Sequence, residues 1–379
     1  MQQVEHADGR LYDASLVGRI REREYAGEVY GVETLFKPVP DVDEEHVVDP
    51  RLETVMEKKR KMFSERAQAG WRLSNERYRP DKVTYDLTTT DVGVDERLIP
   101  IDDDHLIDIY IYRAEGAPQN CPVMIYLHGG GFTAGDMRLY ANQMKLVAEL
   151  SGAVAIFPEY RLAPECPFPG PIDDAWGTVR WVYEHAAELG VDPEGIMVAG
   201  DSAGGSLTAA CVQRDLERMA SGAERIIKKI VGIYPGWDLR DWRTLDEYTW
   251  SYDEYPVRED QFELVKSRIE RIRSGVEGSE TSSSNLYLQG KTTSDNPLVN
   301  VAAASDEVLE QFPEVLAISS EYDYIRVGTD RLVKRMQDLG VKVRNMRYCG
   351  CDHGFFDMLG TYVQAEELCQ TLADELKAL

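Results

Sequence analysis

Residues 195–212 read GIMVAGDSAGGSLTAACV, in which an apolar run leads through small residues into a second apolar segment. The first run is typical of a buried strand and the last of a helix, with Ser202 at the turn between them. Gly200 and Gly204 flank Ser202 in the G-x-S-x-G pattern. Because a turn this sharp crowds its flanking residues, glycines there favour a serine that is pushed outward as a nucleophile. A glycine-rich turn with an incidental serine is the alternative.

Short apolar runs alternate with longer helical patterns from about residue 90 onward. The runs that are typical of strands are 105–114, 121–131, 153–160, 195–202, 226–236 and 313–323. Strands and helices in regular succession predict a mostly parallel sheet with helices on both faces.

Two segments interrupt this alternation. Residues 1–85 contain DPRLETVMEKKRKMFSERAQAGW (49–71), which predicts an amphipathic helix with one face packed on the rest of the protein. Residues 238–296 are rich in tryptophan, tyrosine and acidic residues, and they predict a helical insertion at one edge of the sheet. The core of the fold then consists of residues 86–237 and 297–379.

A second glycine-rich stretch, YLHGGGF (126–132), follows the predicted strand CPVMIYL. Consecutive glycines allow backbone N–H groups to converge on one point, as the stabilisation of an oxyanion requires. We expect Gly129 and Gly130 to be donors, together with the backbone N–H of Ala203. A plain flexible loop is the alternative.

A nucleophilic serine needs a base, and the base needs an acid that orients it. Of the six histidines, His353 lies between a predicted strand and the last helix, where a loop carries it over the carboxyl edge of the sheet. The acid should end a strand between the serine and the histidine, which leaves Glu321 and Asp323. We favour Asp323 because it falls furthest past the apolar run, and Glu321 is then a solvated or structural carboxylate.

Five stretches together carry a family resemblance. They are HGGGF (128–132), PEYRLAPECPFPGPIDD (158–174), GDSAGG (200–205), SSEYDYIR (319–326) and DHGFF (352–356). In this order they resemble the hormone-sensitive lipase family of α/β-hydrolases, in particular its microbial esterases with the GDSAG signature. The resemblance covers about residues 90–379.

The resemblance implies an α/β-hydrolase fold, with a mostly parallel eight-stranded sheet, helices on both faces and a helical cap. Residues 1–85 would form the N-terminal part of the cap and residues 238–296 the insertion that completes it. The family implies the same triad and oxyanion donors that the motifs indicate. One departure is Tyr324, which stands where the family usually has proline after the acid.

These features predict a serine carboxylic-ester hydrolase that acts on short- to medium-chain esters of small molecules through an acyl-enzyme. An activated amide, a lactone or a carbamate is an alternative substrate, and a non-catalytic ligand-binding relative is an alternative function. The aromatic residues expected to line the substrate pocket are Phe132, Trp237, Tyr252 and Tyr255, with Trp242, Tyr248 and Trp250 as further candidates.

Composition limits the partners. The chain has 67 acidic and 42 basic residues among 379, and its formal net charge of −25 disfavours nucleic acid and anionic membranes. With no signal-peptide pattern and no apolar stretch long enough for a membrane span, we expect a cytoplasmic protein whose partner is a small-molecule ester. The sequence does not fix the oligomeric state, and a homodimer is one alternative. The chemistry needs no cofactor or metal, and IDDDH (101–105) is typical of a solvated turn between strands.

Overall fold

The computed structural model describes residues 9–70, 72–79, 82–240, 250–276 and 283–379, with the backbone alone described at 275, 276, 283 and 284. The strands are β1 (Tyr25–Val29), β2 (Val32–Lys37), β3 (Val92–Pro100), β4 (Leu106–Ala114), β5 (Cys121–Leu127), β6 (Val154–Pro158), β7 (Val191–Asp201), β8 (Lys229–Ile233), β9 (Glu314–Tyr322) and β10 (Val343–Asp352). The helices are α1 (Ser15–Glu22), α2 (Glu53–Gln68), α3 (Leu73–Arg77), α4 (Met137–Ser151), α5 (Gly170–Glu184), α6 (Ala186–Leu189), α7 (Ala203–Met219), α8 (Phe262–Val276), α9 (Ser283–Leu288), α10 (Asp306–Leu309), α11 (Arg326–Asp338) and α12 (Val363–Lys377).

All the strands of the described ranges join one sheet in the order β1-β2-β10-β9-β8-β7-β5-β6-β4-β3. The run from β2 through β6 in that order is parallel at every pairing. The remaining pairings, which involve β1, β3 and β4, are antiparallel. The mostly parallel sheet predicted from the alternating pattern is therefore confirmed.

Helices cover both faces of the sheet. Along β5 the side chains alternate, so that Val123 and Ile125 pack in one apolar cluster and Met124 and Tyr126 in another. The first cluster contains residues of α5, α7 and α11, and the second contains residues of α4, α8 and α12. Burial on both faces explains why the central strands are continuously apolar in sequence. Within the described ranges, no helix is long and apolar enough to cross a membrane.

The N-terminal segment differs from the expected cap. Eight strands, β3 to β10, lie within residues 92–352 as the resemblance implied, but residues 25–37 add β1 and β2 to the sheet. Strand β2 pairs in parallel with β10, from Asn345 opposite Thr34 to Tyr348 opposite Lys37. A second part of the segment, α2, packs on α8. The N-terminal 85 residues thus contribute to the sheet as well as to the helical layer above it.

The carboxyl ends of the parallel strands lie at one edge of the sheet, and the motif residues follow them directly. His128 comes after β5, Ser202 after β7, Asp323 after β9 and His353 after β10. Because β7 and β9 flank β8, and β10 flanks β9, four distant stretches of sequence meet above this edge. In open α/β sheets, such an edge is where ligands bind.

Candidate active site

Ser202 occupies a strained turn between β7 and α7. Its backbone has φ +52° and ψ −116°, a conformation that residues other than glycine adopt rarely. The Ser202 N–H donates to the carbonyl of Ile233 at 3.0 Å, and its carbonyl accepts the N–H of Gly236 at 2.9 Å. These bonds to the end of β8 hold the turn, so that the hydroxyl stands at the floor of a cavity.

The glycines of the turn are required by space. A Cβ on Gly204 would lie 1.9 Å from the carbonyl oxygen of Leu127, and a Cβ on Gly200 would lie 2.6 Å from the carbonyl of Gly204. Both distances are far below van der Waals contact. The structure therefore provides the physical reason for the G-x-S-x-G spacing.

The structure brings Ser202, His353 and Asp323 together. The Ser202 Oγ and His353 Nε2 are 2.9 Å apart, and His353 Nδ1 and Asp323 Oδ2 are 2.7 Å apart. Asp323 is fully buried, whereas the imidazole keeps 13% of its surface exposed towards the cavity. With Nδ1–H donated to the carboxylate, Nε2 is left to accept the serine proton.

Glu321, the other carboxylate considered, faces a different group of residues. Its Oε1 lies 2.8 Å from Nδ1 of His46, and its Oε2 accepts the backbone N–H of Gly350 at 2.8 Å. The hydrogen bond to Glu321 raises the pKa of His46. Glu321 lies within β9, while Asp323 lies just beyond its end, where the chain turns over the sheet.

The glycine loop requires a correction. The N–H of Gly129 donates to Asp201 Oδ1 at 2.7 Å, so it is not available to an oxyanion. In contrast, the N–H groups of Gly130, Gly131 and Ala203 have no acceptor in the described part of the chain, and all three residues line the cavity. Gly129 was therefore wrongly expected as a donor, and Gly131, whose N–H has no acceptor among the described residues, was not among the expected donors. Three consecutive glycines signal such a loop without indicating which two face the site.

Buried polar groups hold the glycine loop. Asp201 accepts hydrogen bonds from the hydroxyls of Tyr126 at 2.8 Å and Tyr140 at 3.1 Å as well as from Gly129. Burial raises the pKa of this carboxyl group. The ring of His128 stacks on Tyr160 with centroids 4.2 Å apart, and burial lowers its pKa to about 4, so the imidazole is neutral near pH 7.

A cavity of about 520 Å³ lies above the serine. Ser202, His353 and Phe132 line it from the sheet side, and α2, α3 and α8 supply side chains from the opposite side. Phe132 itself is almost fully buried and stacks on Tyr287, with ring centroids 3.9 Å apart.

The other expected pocket aromatics lie elsewhere. Trp237 is fully buried and donates its indole N–H to the carbonyl of Gly205 at 2.8 Å. Tyr255 is buried and donates to the carbonyl of Tyr324 at 3.1 Å, while the rings of Tyr252 and Trp250 meet edge to face with centroids 4.8 Å apart. None of these four aromatic residues is among the described residues that line the cavity. Trp242 and Tyr248 lie outside the described residues.

Comparison with known proteins identifies the family of this chain. A family model described as an alpha/beta hydrolase fold matches residues 124–357, so the chain belongs to the α/β-hydrolase family. Within that family it falls in the hormone-sensitive lipase group. It is a carboxylesterase-like α/β-hydrolase.

Individual relatives agree with this assignment. Carboxylesterase NlhH of Mycobacterium tuberculosis (strain ATCC 25618 / H37Rv) is 41% identical over 123 residues, which is 32% of this chain and 39% of that protein. Hormone-sensitive lipase of Homo sapiens is 37% identical over 123 residues, 32% of this chain and 11% of the lipase. These matches thus span less than half of either relative. A Pyrobaculum calidifontis esterase structure has a TM-score of 0.64 at 25% identity, covering 87% of this chain and 98% of that one.

Proposed function

We propose that this protein is a serine carboxylesterase that hydrolyses short- to medium-chain esters of small molecules through an acyl-enzyme intermediate. The observation that carries the proposal is the chain of contacts from Ser202 Oγ through His353 to Asp323, 2.9 and 2.7 Å long, at the floor of a cavity. A nucleophile, a base and an orienting acid in this geometry are the requirements of acyl transfer. The carboxylesterase relatives support the same chemistry.

Each residue has a defined role in the proposed reaction. His353 Nε2 takes the proton of Ser202 Oγ as the oxygen attacks the ester carbonyl, and Asp323 holds the imidazole in the required tautomer. The N–H groups of Gly130, Gly131 and Ala203 stabilise the oxyanion, and the positive end of the α7 dipole lies at the same point. His353 then returns its proton to the leaving alkoxide. A water molecule activated by His353 hydrolyses the acyl-enzyme.

The shape of the site supports small substrates. A cavity of about 520 Å³ falls within the usual range for small-molecule pockets, about 300–1,000 Å³. Side chains of α2, α3 and α8 line the cavity opposite Ser202. We propose that these helices form the cap that separates the reacting ester from bulk water.

A chain-length series of 4-nitrophenyl esters, from acetate to decanoate, tests the function. We expect release of 4-nitrophenol that peaks between short and medium acyl chains. The Ser202→Ala variant should lose about 10⁴-fold or more in kcat, because the attack itself is removed. Ser221→Ala, at an exposed serine beyond α7, is the matched control and should keep full activity.

Two results would overturn the proposal. Turnover by Ser202→Ala at the wild-type rate would exclude the serine as nucleophile. A folded wild-type protein that turns over none of the esters would favour the ligand-binding alternative. Matched 4-nitroanilide, lactone and carbamate substrates separate the remaining hydrolase alternatives, and we expect each to react more slowly than the ester.

A further inference from the structure

The cavity above Ser202 is strongly cationic in a strongly acidic protein. Seven cationic and three acidic side chains line it among the described residues, whereas the whole chain has a formal net charge of −25. The cations are Lys59 and Arg66 from α2, Arg72, Arg79 and Lys82 from the segment that follows, and Arg268 and Arg271 from α8. A concentration of one sign of charge in a cleft attracts a ligand of the opposite sign.

Four of these cations surround one aromatic ring. The guanidinium carbons of Arg271, Arg268, Arg79 and Arg66 lie 4.6, 5.3, 5.8 and 5.9 Å from the ring centroid of Phe63. The ring face attracts each cation, but the cations repel one another. Burial lowers the pKa of the Arg271 guanidinium; Glu76 partly opposes that shift, and the neighbouring arginines add to it.

Carboxylates of the described residues pair with several of these cations. Arg268 Nε donates to Asp352 at 2.7 Å, Arg271 donates to Glu76 at 3.2 Å, and Lys82 pairs with Asp357. Lys59 lies 3.9 Å from the same Asp352. Asp201, the third acidic residue in the cavity lining, is already held by Gly129 and two tyrosines. Among the described residues, these four carboxylates are fewer than the seven cations that line the cavity.

Two guanidinium nitrogens of this group are buried without a hydrogen-bond acceptor among the described residues. Nη1 of Arg66 and Nη1 of Arg268 are buried and have no hydrogen-bond partner in the described part of the chain. The hydrogen bond from Nη2 of Arg66 to the carbonyl of Tyr78 is long, 3.4 Å. A buried charged donor without an acceptor is costly, so an oxyanion from a ligand would stabilise this arrangement.

We propose that the natural substrate is an ester that also carries a free carboxylate. The carboxylate binds the four arginines around Phe63 while the ester carbonyl lies at Ser202. This inference rests on the proposed esterase function and specifies its substrate class. The planar guanidinium fork matches a carboxylate in two hydrogen bonds. Leu239 and Ile272 line the same cavity and contact the hydrocarbon part of such a substrate, which suits a monoanion on an apolar chain.

Two ester pairs test the proposal on the wild-type protein. 4-Nitrophenyl hydrogen adipate and 4-nitrophenyl hexanoate have six-carbon acyl chains that differ in a terminal carboxylate or methyl group. 4-Acetoxybenzoate and its methyl ester place a carboxylate or a neutral methyl ester on the alcohol side, and release of acetate is measured for both. We expect kcat/KM to favour the anionic member of at least one pair by about tenfold, the size of one hydrogen bond between charged groups. Added sodium chloride should reduce that preference through screening.

Substitutions test which residues produce the preference for the anionic ester. Arg66→Gln should lower the ratio of kcat/KM for the anionic ester to that for the neutral ester about tenfold, mainly through KM, and Arg66→Lys should restore part of it. Arg60→Gln, on the same helix but exposed and paired with Glu57, is the matched control and should leave the ratio unchanged. Unfolding temperatures of the variants, compared with that of the wild type, separate a loss of recognition from a loss of fold.

The outcomes distinguish the two proposals. Equal kcat/KM within both ester pairs, with activity that still depends on Ser202, overturns the carboxylate inference and leaves the esterase standing. A preference that survives Arg66→Gln and Arg271→Gln together also overturns it. Absence of turnover on all four esters overturns the esterase function first, and the substrate proposal with it.

Discussion

The backbone N–H of Gly129 donates a 2.7 Å hydrogen bond to Oδ1 of Asp201, the residue immediately before Ser202. This bond ties the glycine loop after β5 to the turn after β7. It also directs the first glycine of the loop away from the cavity and leaves the next two facing it. We therefore expect the position of the proposed oxyanion donors relative to the serine to depend on this carboxylate.

We predict that Asp201→Ala lowers kcat about 10²-fold, the cost of misplacing an oxyanion donor. The free energy of unfolding should also fall, because Gly129, Tyr126 and Tyr140 lose their acceptor and each buried donor left without one costs about 1–3 kcal/mol. Steady-state kinetics and urea unfolding measure the two effects. Asp201→Asn, which keeps one acceptor oxygen, should fall between. A wild-type kcat in Asp201→Ala would contradict this role.

The two candidate acids can be separated by matched amide substitutions. Asp323→Asn should lower kcat about 10³–10⁴-fold, because the amide no longer holds the imidazole of His353 in the tautomer that accepts the serine proton. Glu321→Gln is the control, since that side chain contacts His46 and Gly350 instead. We expect kcat to change less than about threefold there. The opposite order of effects would exchange the two assignments.

Gly204→Ala should prevent normal folding of the turn. Its Cβ would lie 1.9 Å from the carbonyl oxygen of Leu127, and we expect a loss of about 3 kcal/mol or more in the free energy of unfolding. Gly18→Ala serves as control because nothing lies within 4 Å of its Cβ and it is inside α1. That variant should be neutral or more stable by ~0.5–1 kcal/mol. Thermal unfolding distinguishes the two; equal effects would argue against steric exclusion at the turn.

The buried His128 makes stability depend on pH. Its pKa is lowered to about 4 by burial, against an ordinary value near 6.5, so between those values the unfolded chain binds more protons than the native one. Its contribution to stability is therefore present above about pH 6.5 and is lost as the pH falls towards 4, by about 3 kcal/mol in total. Comparing urea unfolding of the wild type and His128→Gln across this window isolates the slope. An unchanged slope would show that His128 does not titrate.

Local sequence patterns were sufficient to predict much of the fold and the position of the serine. Continuous apolar runs mark the strands that are buried on both faces, because helices cover the two sides of a parallel sheet. The flanking glycines mark Ser202, because a side chain at either position would meet backbone atoms. Chain order and loop position, both visible in sequence, distinguish His353 from the other five histidines.

Strand pairing and pocket lining depend on how distant segments pack, so local sequence patterns could not predict them. The segment that forms β1 and β2 was expected within a cap, because two short runs do not reveal that β2 pairs with β10, more than 300 residues away. The aromatic residues Trp237 and Tyr255 were expected in the pocket. An aromatic side chain fits a core as readily as a binding site, and the structure buries both away from the cavity.

The amino-acid pattern alone determines which residues can supply the nucleophile, base and acid, because strand ends, tight turns and chain order are local properties. Which glycine N–H groups face the cavity depends on Asp201, a contact across 72 residues. The cluster of cations in the cavity depends on the packing of α2 against α8. Each of these helices carries both acidic and basic residues in its sequence. Neither property is local, because each requires the tertiary structure to bring residues that are distant in sequence close together.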